Sequence, residues 1–357
     1  MLFRKRAYPQ CWRCASFKGS YDLFHRSARE PNPTHPITRY TASLSREAQS
    51  GPEASAPTLR HRLEFAVAWL FIHILRILPR SWARATGAAM STIAHATLSR
   101  LRRTGLRNLQ LAFPAMPASE RELILRLEYR NLGWLLAEFC QMSTYTPAYA
   151  SRFIRYEGLE HYLAARDRGK GVLVLTGHLG AWELSSFYHS LAGYPMGMVI
   201  RRLDNPLVDR MVNRIRCLHG NRVLHKDDFA RGLIAAMRAN ETVGILMDTN
   251  MTPPQGLFVP FFGVPACTAS GLARVALKTG AAVLPGFLLW EESERRYVLH
   301  FYPELALAST GDAEADTADN TARFTAVLED AIRQYPTQWL WMHRRWKTRP
   351  PGDPPIY

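Results

Sequence analysis

Acidic residues are scarce in this chain. Its 357 residues include 30 Asp and Glu against 45 Lys and Arg, which gives a formal net charge of +15 at pH 7. No acidic residue occurs between Glu64 and Glu120, where arginines accumulate instead: Arg76, Arg80, Arg84, Arg100, Arg102, Arg103 and Arg107. An excess of this size predicts an anionic partner, and nucleic acid, anionic lipid and an acidic carrier protein all qualify.

Cysteine is also scarce. The five cysteines form no regular framework, which argues against a disulfide-stapled secreted domain and predicts a reducing compartment. Cys11 and Cys14 have the spacing of half a zinc site, but neither His25 nor His35 completes a standard ligand set. We therefore expect no metal and no other cofactor.

The first 58 residues lack helical or strand periodicity, and they contain no clean signal peptide. They are rich in Arg, Lys, Ser and Pro and end in a linker-like segment over 51–57. This composition is typical of a disordered extension, or of upstream sequence that follows a wrongly chosen start codon. We expect residues 1–58 to be disordered.

A strongly apolar stretch from Leu63 to Leu78 is interrupted only by Glu64, His73 and Arg76. As a helix it would be about 24 Å long, shorter than the roughly 30 Å hydrocarbon core of a bilayer. The arginines that follow it favour the cytoplasmic side and anionic headgroups. We predict a membrane-anchoring helix that crosses marginally or lies in the interface. A buried core helix beside a solvated basic segment is the alternative.

Short apolar segments alternate with amphipathic stretches from residue 171 onward. The predicted strands cover 172–175, 243–247, 281–290 and 297–302, and the predicted helices cover 205–218, 229–237, a helix opened by Thr268, and 324–335. Upstream, Ser119 and Glu122 have the spacing of a capping box that opens a helix to about Phe139. The alternation predicts an α/β fold with a mainly parallel central sheet flanked by helices.

His178 follows the strand at 172–175, and Glu183 stands five residues further on, in the first turn of the next helix. An imidazole is a usable base at neutral pH, and a neighbouring carboxylate fixes its tautomer and stabilises its charged form. We therefore predict that His178 and Glu183 are catalytic. A strand-end histidine and a helix-start carboxylate without catalytic roles are the alternative. The strand at 243–247 leads into Asp248. Two strands that each end in a polar residue predict a functional site at a shared edge of the sheet.

Four blocks of sequence occur together in a characteristic order. They are Gly177-His178-Leu179-Gly180-Ala181-Trp182-Glu183, Arg201 leading into Asp204-Asn205-Pro206-Leu207, the Asp248 strand leading into Phe258-Val259-Pro260-Phe261-Phe262-Gly263, and 338–347 (QWLWMHRRWK). With these blocks the chain resembles the lipid A biosynthesis lauroyl/myristoyl acyltransferases of the lysophospholipid acyltransferase superfamily, over about residues 60–349. The family commonly has an Asp-Gln pair where this chain has Asp248-Thr249.

The resemblance implies a glycerol-phosphate acyltransferase-like fold and transfer of a fatty acyl chain. The expected donor is an acyl carrier protein thioester, and the expected acceptor is a hydroxyl of a lipid A precursor at the cytoplasmic face of a bacterial inner membrane. By the same match His178 is the general base, Glu183 orients it, and Arg201 and Asp248 line the site. The expected organisation is an extension at 1–58, an anchor and basic helical segment at 59–118, an acyltransferase domain at 119–349 and a tail at 350–357.

Direct transfer, without an acyl-enzyme, is the expected mechanism. His178 would remove the proton of the acceptor hydroxyl, and the alkoxide would attack the thioester carbonyl. Ser185 and Ser186 are the nearest alternative nucleophiles, but they lie inside a predicted helix and lack a Gly-x-Ser-x-Gly turn.

Arginines are the expected contacts to lipid phosphate, because guanidinium groups bind phosphate bidentately. Arg201, with Arg202, suits a phosphate of the acceptor, although a solvated helix flank is the alternative. Arg344 and Arg345 stand among tryptophans and predict a substrate-binding patch at the membrane interface; tryptophans packed on the core are the alternative. The aromatic segment at 258–262 lines an acyl groove or belongs to the core.

Two rival functions remain at this stage. A basic protein with tryptophans can bind nucleic acid, but no zinc-finger, helix-turn-helix or RNP-like element is present, so we expect no nucleic acid partner. A glycerophospholipid or other lipid O-acyltransferase that uses acyl carrier protein or coenzyme A donors shares the same base and carboxylate. The sequence does not separate it from an enzyme acting on lipid A.

Overall fold

A computed structural model describes residues 57–225 and 229–357 of the protein. The Cys11 and Cys14 pair, and all but the last two residues of the expected extension at 1–58, lie outside the described residues. The N-terminal helices are α1 (Leu59–Ile77), α2 (Arg80–Thr97), α3 (Ser99–Ala112), α4 (Ala118–Gln141) and the short α5 (Pro147–Ala150).

Helices α2 and α4 pack closely because a glycine of each lies against the backbone of the other. A Cβ atom on Gly87 would lie 2.1 Å from the Gly133 carbonyl oxygen, and one on Gly133 would lie 2.2 Å from that of Gly87. The helix expected from Ser119 exists, but it begins after Pro117 without a side-chain cap hydrogen bond, so the predicted capping box does not form.

Helix α1 covers the apolar stretch for which an anchor is predicted. Within the described residues, no helix has the length and apolar character needed to cross a bilayer. Ile72 and Leu75 of α1 are buried, whereas the outward face leaves large apolar side chains exposed, among them Leu63, Val67 and Ile77. Its anchoring role stays a prediction.

The centre of the protein is a seven-stranded sheet in the order β1-β9-β8-β2-β5-β3-β4. Its strands are β1 (Ile154–Glu157), β2 (Val172–Thr176), β3 (Met196–Ile200), β4 (Arg222–His225), β5 (Thr242–Leu246), β8 (Ala282–Glu291) and β9 (Arg296–Phe301). All neighbours pair in parallel except β8 and β9, which are antiparallel. The prediction of an α/β fold with a mainly parallel central sheet is therefore confirmed.

The remaining helices and a β-hairpin complete the fold around this sheet. The helices are α6 (Leu159–Asp167), α7 (Trp182–Leu191), α8 (Pro206–Arg216), α9 (Phe229–Arg238), α10 (Gly271–Thr279) and α11 (Ala313–Gln334), and the hairpin is β6 (Gly256–Phe261) with β7 (Val264–Ala269). The expectation that Thr268 opens a helix is wrong, because Thr268 lies in β7 and the helix begins at Gly271.

Both faces of the sheet are covered by hydrophobic clusters, as the residues of β2 show. Leu173 and Leu175 join one hydrophobic cluster, while Val172 and Val174 join another. Side chains alternate between the two faces of a strand, so a strand covered on both faces is apolar throughout. The C-terminal residues also pack on this core: the Tyr357 hydroxyl donates to Asn108 Oδ1 over 2.5 Å.

Candidate active site

His178 and Asp248 meet at one edge of the sheet. Strands β2 and β5 are parallel neighbours that end at the paired residues Thr176 and Leu246, and each candidate residue follows two positions later. His178 Nδ1 lies 2.9 Å from Asp248 Oδ1, and the backbone N–H of His178 donates to Asp248 Oδ2 over 2.7 Å. The structure thus brings together the two polar strand ends that the sequence singled out.

A glycine permits this close approach. A Cβ atom on Gly177 would lie 3.0 Å from Cγ of Asp248, so a larger residue there would push the carboxylate away. The aspartate itself is almost fully buried, whereas a quarter (25%) of the His178 side-chain surface is exposed. The imidazole is therefore held on its inner side and open on its outer side.

The charges of the two groups stabilise each other. Burial alone would lower the pKa of His178, but the charge of Asp248, its hydrogen bond and the charge of Glu183 raise it above the ordinary value. Burial alone would raise the pKa of Asp248; the charge and hydrogen bonds of His178, together with the Trp339 indole N–H, lower it to about 2. Asp248 is therefore an anion at neutral pH.

This anion fixes the tautomer of His178. A carboxylate only accepts hydrogen bonds, so the neutral imidazole carries its proton on Nδ1 and presents a lone pair at Nε2. Within the described residues Nε2 has no hydrogen-bond partner. A histidine in this state can accept a proton from a hydroxyl placed at the sheet edge.

Glu183 does not make the contact expected of it. Its carboxylate accepts from Arg216, with Nε 2.8 Å from Oε2 and Nη2 2.5 Å from Oε1, in a partly buried ion pair. The first turn of α7 directs Glu183 toward α8, so the carboxylate bonded to His178 is that of Asp248, 70 residues further along the chain. Glu183 acts on His178 through its charge. The sequence did not predict the ion pair of Arg216 with Glu183, because Arg216 is only one of several polar residues of an amphipathic helix.

An apolar cavity lies between the sheet and helix α7, and Glu183 and Arg216 are among the residues that line it. Its apolar lining includes Val174, Trp182, Met196, Met198, Ile200 and Leu246, and two strand glycines, Gly244 and Gly286. A Cβ atom on Gly244 would lie 2.7 Å from Met196 Cε, and one on Gly286 would lie 2.7 Å from Val174 Cγ1. Glycine at these two positions keeps the cavity open.

Arg345 is a structural residue. Its side chain is fully buried, and its guanidinium donates to the carbonyl oxygens of Thr249 and Cys267 and to the Thr268 hydroxyl. Burial lowers its pKa to about 10. The expectation that Arg345 binds substrate in an interfacial patch is therefore not met.

The tryptophans beside it are core residues as well. Trp339, Trp341 and Trp346 are at most 1% exposed, which removes them from any membrane interface. Arg344 is half-buried, with its guanidinium 5.7 Å from the centre of the Tyr357 ring. The three tryptophans and Arg345 therefore do not form the interfacial patch that the composition suggested, whereas substrate binding by Arg344 stays a prediction.

Arg201 directly follows β3, which ends at the same edge of the sheet as β5, but it lies at the surface and has no hydrogen bond to His178 or Asp248 among the described residues. Its side chain is 82% exposed and pairs with Asp204, which is 94% exposed. The aromatic segment at 258–262 follows the core alternative, because Val259, Phe261 and Phe262 are buried and Phe261 packs 5.6 Å from Trp339.

Neither a metal site nor a serine nucleophile is apparent in the described ranges. No group of three or more His, Cys, Asp and Glu there is arranged to hold a metal ion. Ser186 lies within α7 and donates to the Glu183 carbonyl oxygen, and Ser185 lies in the same helix. The side chains that the structure brings together at the sheet edge are an imidazole and a carboxylate.

Comparison with known proteins shows the family of this chain. The sequence profile of bacterial lipid A biosynthesis acyltransferases matches residues 54–348. A lipid A biosynthesis lauroyltransferase of Escherichia coli is 28% identical over 86% of this chain and 99% of its own, and a palmitoleoyltransferase of the same organism is 28% identical over 82% and 92%. A lipid A biosynthesis acyltransferase of Haemophilus influenzae is 30% identical over 84% and 87%. The match spans the helices, the sheet and the candidate site, and this chain is a member of the bacterial lipid A biosynthesis acyltransferase family, enzymes that transfer acyl groups.

Proposed function

We propose that the protein transfers a fatty acyl chain from an acyl carrier protein thioester to a hydroxyl of a lipid A precursor, with His178 as general base and Asp248 as its partner. The observation that carries this mechanism is the 2.9 Å contact between His178 Nδ1 and Asp248 Oδ1, which leaves Nε2 free. Family membership supports the reaction class and the acceptor.

The reaction proceeds by direct transfer. Nε2 of His178 accepts the proton of the acceptor hydroxyl, and the resulting alkoxide attacks the thioester carbonyl. The tetrahedral intermediate collapses, the carbon–sulfur bond breaks, and the thiolate takes the proton from the imidazolium. Asp248 remains an anion throughout and stabilises the imidazolium, as the aspartate of a serine protease triad does.

Glu183 and Arg216 are polar residues in the lining of the proposed acyl cavity. Glu183 adds a second negative charge that raises the pKa of His178, without a hydrogen bond to it. This cavity receives the hydrocarbon chain of the donor, because it is concave and apolar and its lining includes Trp182, whose ring centroid lies 5.2 Å from that of His178. This cavity takes the place of the groove expected at 258–262.

The acceptor approaches from the membrane. Helices α1 and α2 leave large apolar side chains exposed, among them Ile77 at 81%, Trp82 at 68% and Ile93 at 64%. The same region carries an excess of arginine, which attracts anionic headgroups. We therefore place these helices in the interface of the inner membrane, on its cytoplasmic side.

Exposed arginines near the sheet edge are the proposed phosphate contacts. Arg201 and Arg202 precede α8, and Arg210 and Arg214 lie on it, all of them exposed. Asn205, which caps α8, donates to the His61 carbonyl oxygen and to Glu64 over 2.9 Å and so ties this segment to α1. A lipid phosphate at the interface can meet these guanidinium groups.

The test is a substrate matrix with purified enzyme in detergent. Labelled acyl groups on acyl carrier protein and on coenzyme A are offered to a lipid A precursor and to a lysophospholipid. We expect the fastest transfer from acyl carrier protein to the lipid A precursor. Preferential acylation of the lysophospholipid would contradict the proposal and favour the glycerophospholipid acyltransferase.

A further inference from the structure

The C-terminal segment Gln338–Thr348, here called the C-terminal clamp, binds the loop that carries His178. The Gly180 N–H donates to the Gln338 carbonyl oxygen over 2.9 Å, and the Leu340 N–H donates to the His178 carbonyl oxygen over 3.1 Å. Leu179 and Trp339 form an antiparallel bridge between these bonds. The loop after β2 is therefore held as a short extra ladder.

The same clamp binds the loop that carries Asp248. The Asn250 N–H donates to His343 Nε2 over 3.0 Å, and the Thr348 N–H donates to Asn250 Oδ1 over 2.9 Å. Arg345 adds its bond to the Thr249 carbonyl oxygen. One segment thus fixes both strand ends relative to each other.

Trp339 contacts both of these loops, through its backbone bridge to Leu179 and through its side chain to Asp248. Its indole N–H donates to Asp248 Oδ2 over 2.7 Å, and its side chain is 1% exposed. The ring packs against Phe261 and Trp341, with centroids 5.6 and 4.5 Å apart, so it has no room to turn away. The Asp248 carboxylate is held from one side by His178 and from the other by Trp339.

We infer that Trp339 is a positioning residue of the transfer reaction, whose indole N–H holds the Asp248 carboxylate in the orientation that makes His178 an effective base. The inference rests on the proposed role of His178. A carboxylate that loses a donor in a buried site becomes more basic and binds a proton or an imidazolium more strongly. Without this indole, His178 would therefore retain its proton to a higher pH.

Trp341 provides a matched control. It is also fully buried, and its indole N–H also makes a 2.7 Å hydrogen bond, but to the Pro336 carbonyl oxygen and not to the carboxylate. Trp339→Phe and Trp341→Phe each remove one buried N–H donor from the same segment. A purely structural role would therefore affect both variants alike.

The pH dependence of kcat distinguishes a positioning role of Trp339 from a purely structural role. In Trp339→Phe we expect the acidic limb of the profile to move up by about 0.5 pH unit and kcat at its plateau to fall about tenfold, with KM little changed. In Trp341→Phe the limb should stay at the wild-type pH. An unshifted limb in Trp339→Phe, or an equal shift in both variants, overturns the inference.

A second measurement uses the unmodified protein, in case Trp339→Phe does not fold. In ¹H–¹⁵N spectra the indole N–H signal of Trp339 should move with pH at the titration of the His178 ring, whereas that of Trp341 should not. A Trp339 indole signal that does not follow the titration of the His178 ring overturns the inference. Near-normal turnover of His178→Gln would instead refute the proposed function, so the two failures are distinguishable.

Discussion

Replacing Asp248 with Asn tests how the site generates its base. The variant keeps the shape of the side chain but removes the charge that raises the pKa of His178. It also presents an amide that can donate toward Nδ1, which favours the tautomer with its proton on Nε2. The equivalent change in a serine protease lowers kcat roughly 10⁴-fold, and we expect a loss of about 10³-fold or more here.

The same substitution has a signature in stability. Asp248 has a pKa of about 2 in the folded protein, against 3.8 for a free side chain, so it stabilises the fold above pH 4 and this contribution is lost as the pH falls toward 2. The difference corresponds to about 2 kcal/mol. Thermal unfolding of Asp248→Asn should therefore depend less on pH between 4 and 2 than that of the wild type.

Asp204→Asn is the control for both assays. Asp204 is 94% exposed, and its one ion pair within the described residues is with the exposed Arg201, so its substitution should change neither the pH dependence of unfolding nor kcat through His178. Acyl transfer is measured under single-turnover conditions, because product release then does not mask the chemical step. A loss of less than tenfold in Asp248→Asn would refute the role assigned to this carboxylate.

The remaining predictions concern the acyl chain and the membrane. Gly244→Ala should push Met196 into the cavity and lower kcat/KM for a 16-carbon donor relative to a 12-carbon donor about tenfold, the effect of losing roughly two buried methylene groups. Gly197→Ala, which meets Val243 and Leu224 outside the cavity, is the control, and equal ratios in the two variants would contradict the acyl site. Trp82→Ala should weaken binding to anionic vesicles roughly tenfold even at high salt, and unchanged partitioning would contradict the interfacial placement of α2.

Sequence patterns predicted the part of the site that depends on strand ends. An apolar β-branched run stops before His178, another stops before Asp248, and parallel strands bring such ends to one edge. The partner of His178 was harder to predict, because Glu183 is near in sequence whereas Asp248 is near only once β2 and β5 are neighbours. The spacing of His178 and Glu183 along the chain does not show which strands are neighbours in the sheet.

The C-terminal block shows a second limit of sequence patterns. Tryptophans beside arginines are typical both of a membrane interface and of a core with buried cations, and composition alone does not separate these cases. The structure does so through burial: Trp339, Trp341 and Arg345 all face inward, and the donors of Trp339 and Arg345 bind the loop that carries Asp248. The C-terminal block is one of the four blocks that carry the family resemblance, and it is also the segment that binds the loops of His178 and Asp248.

The most direct test of the central claim is single-turnover acyl transfer by His178→Gln, from acyl carrier protein thioester to the lipid A precursor, in protein whose unfolding temperature matches the wild type. Loss of a general base predicts a fall in rate of roughly 10²- to 10⁴-fold across the pH range. A rate within a few-fold of the wild type would show that His178 is not the base.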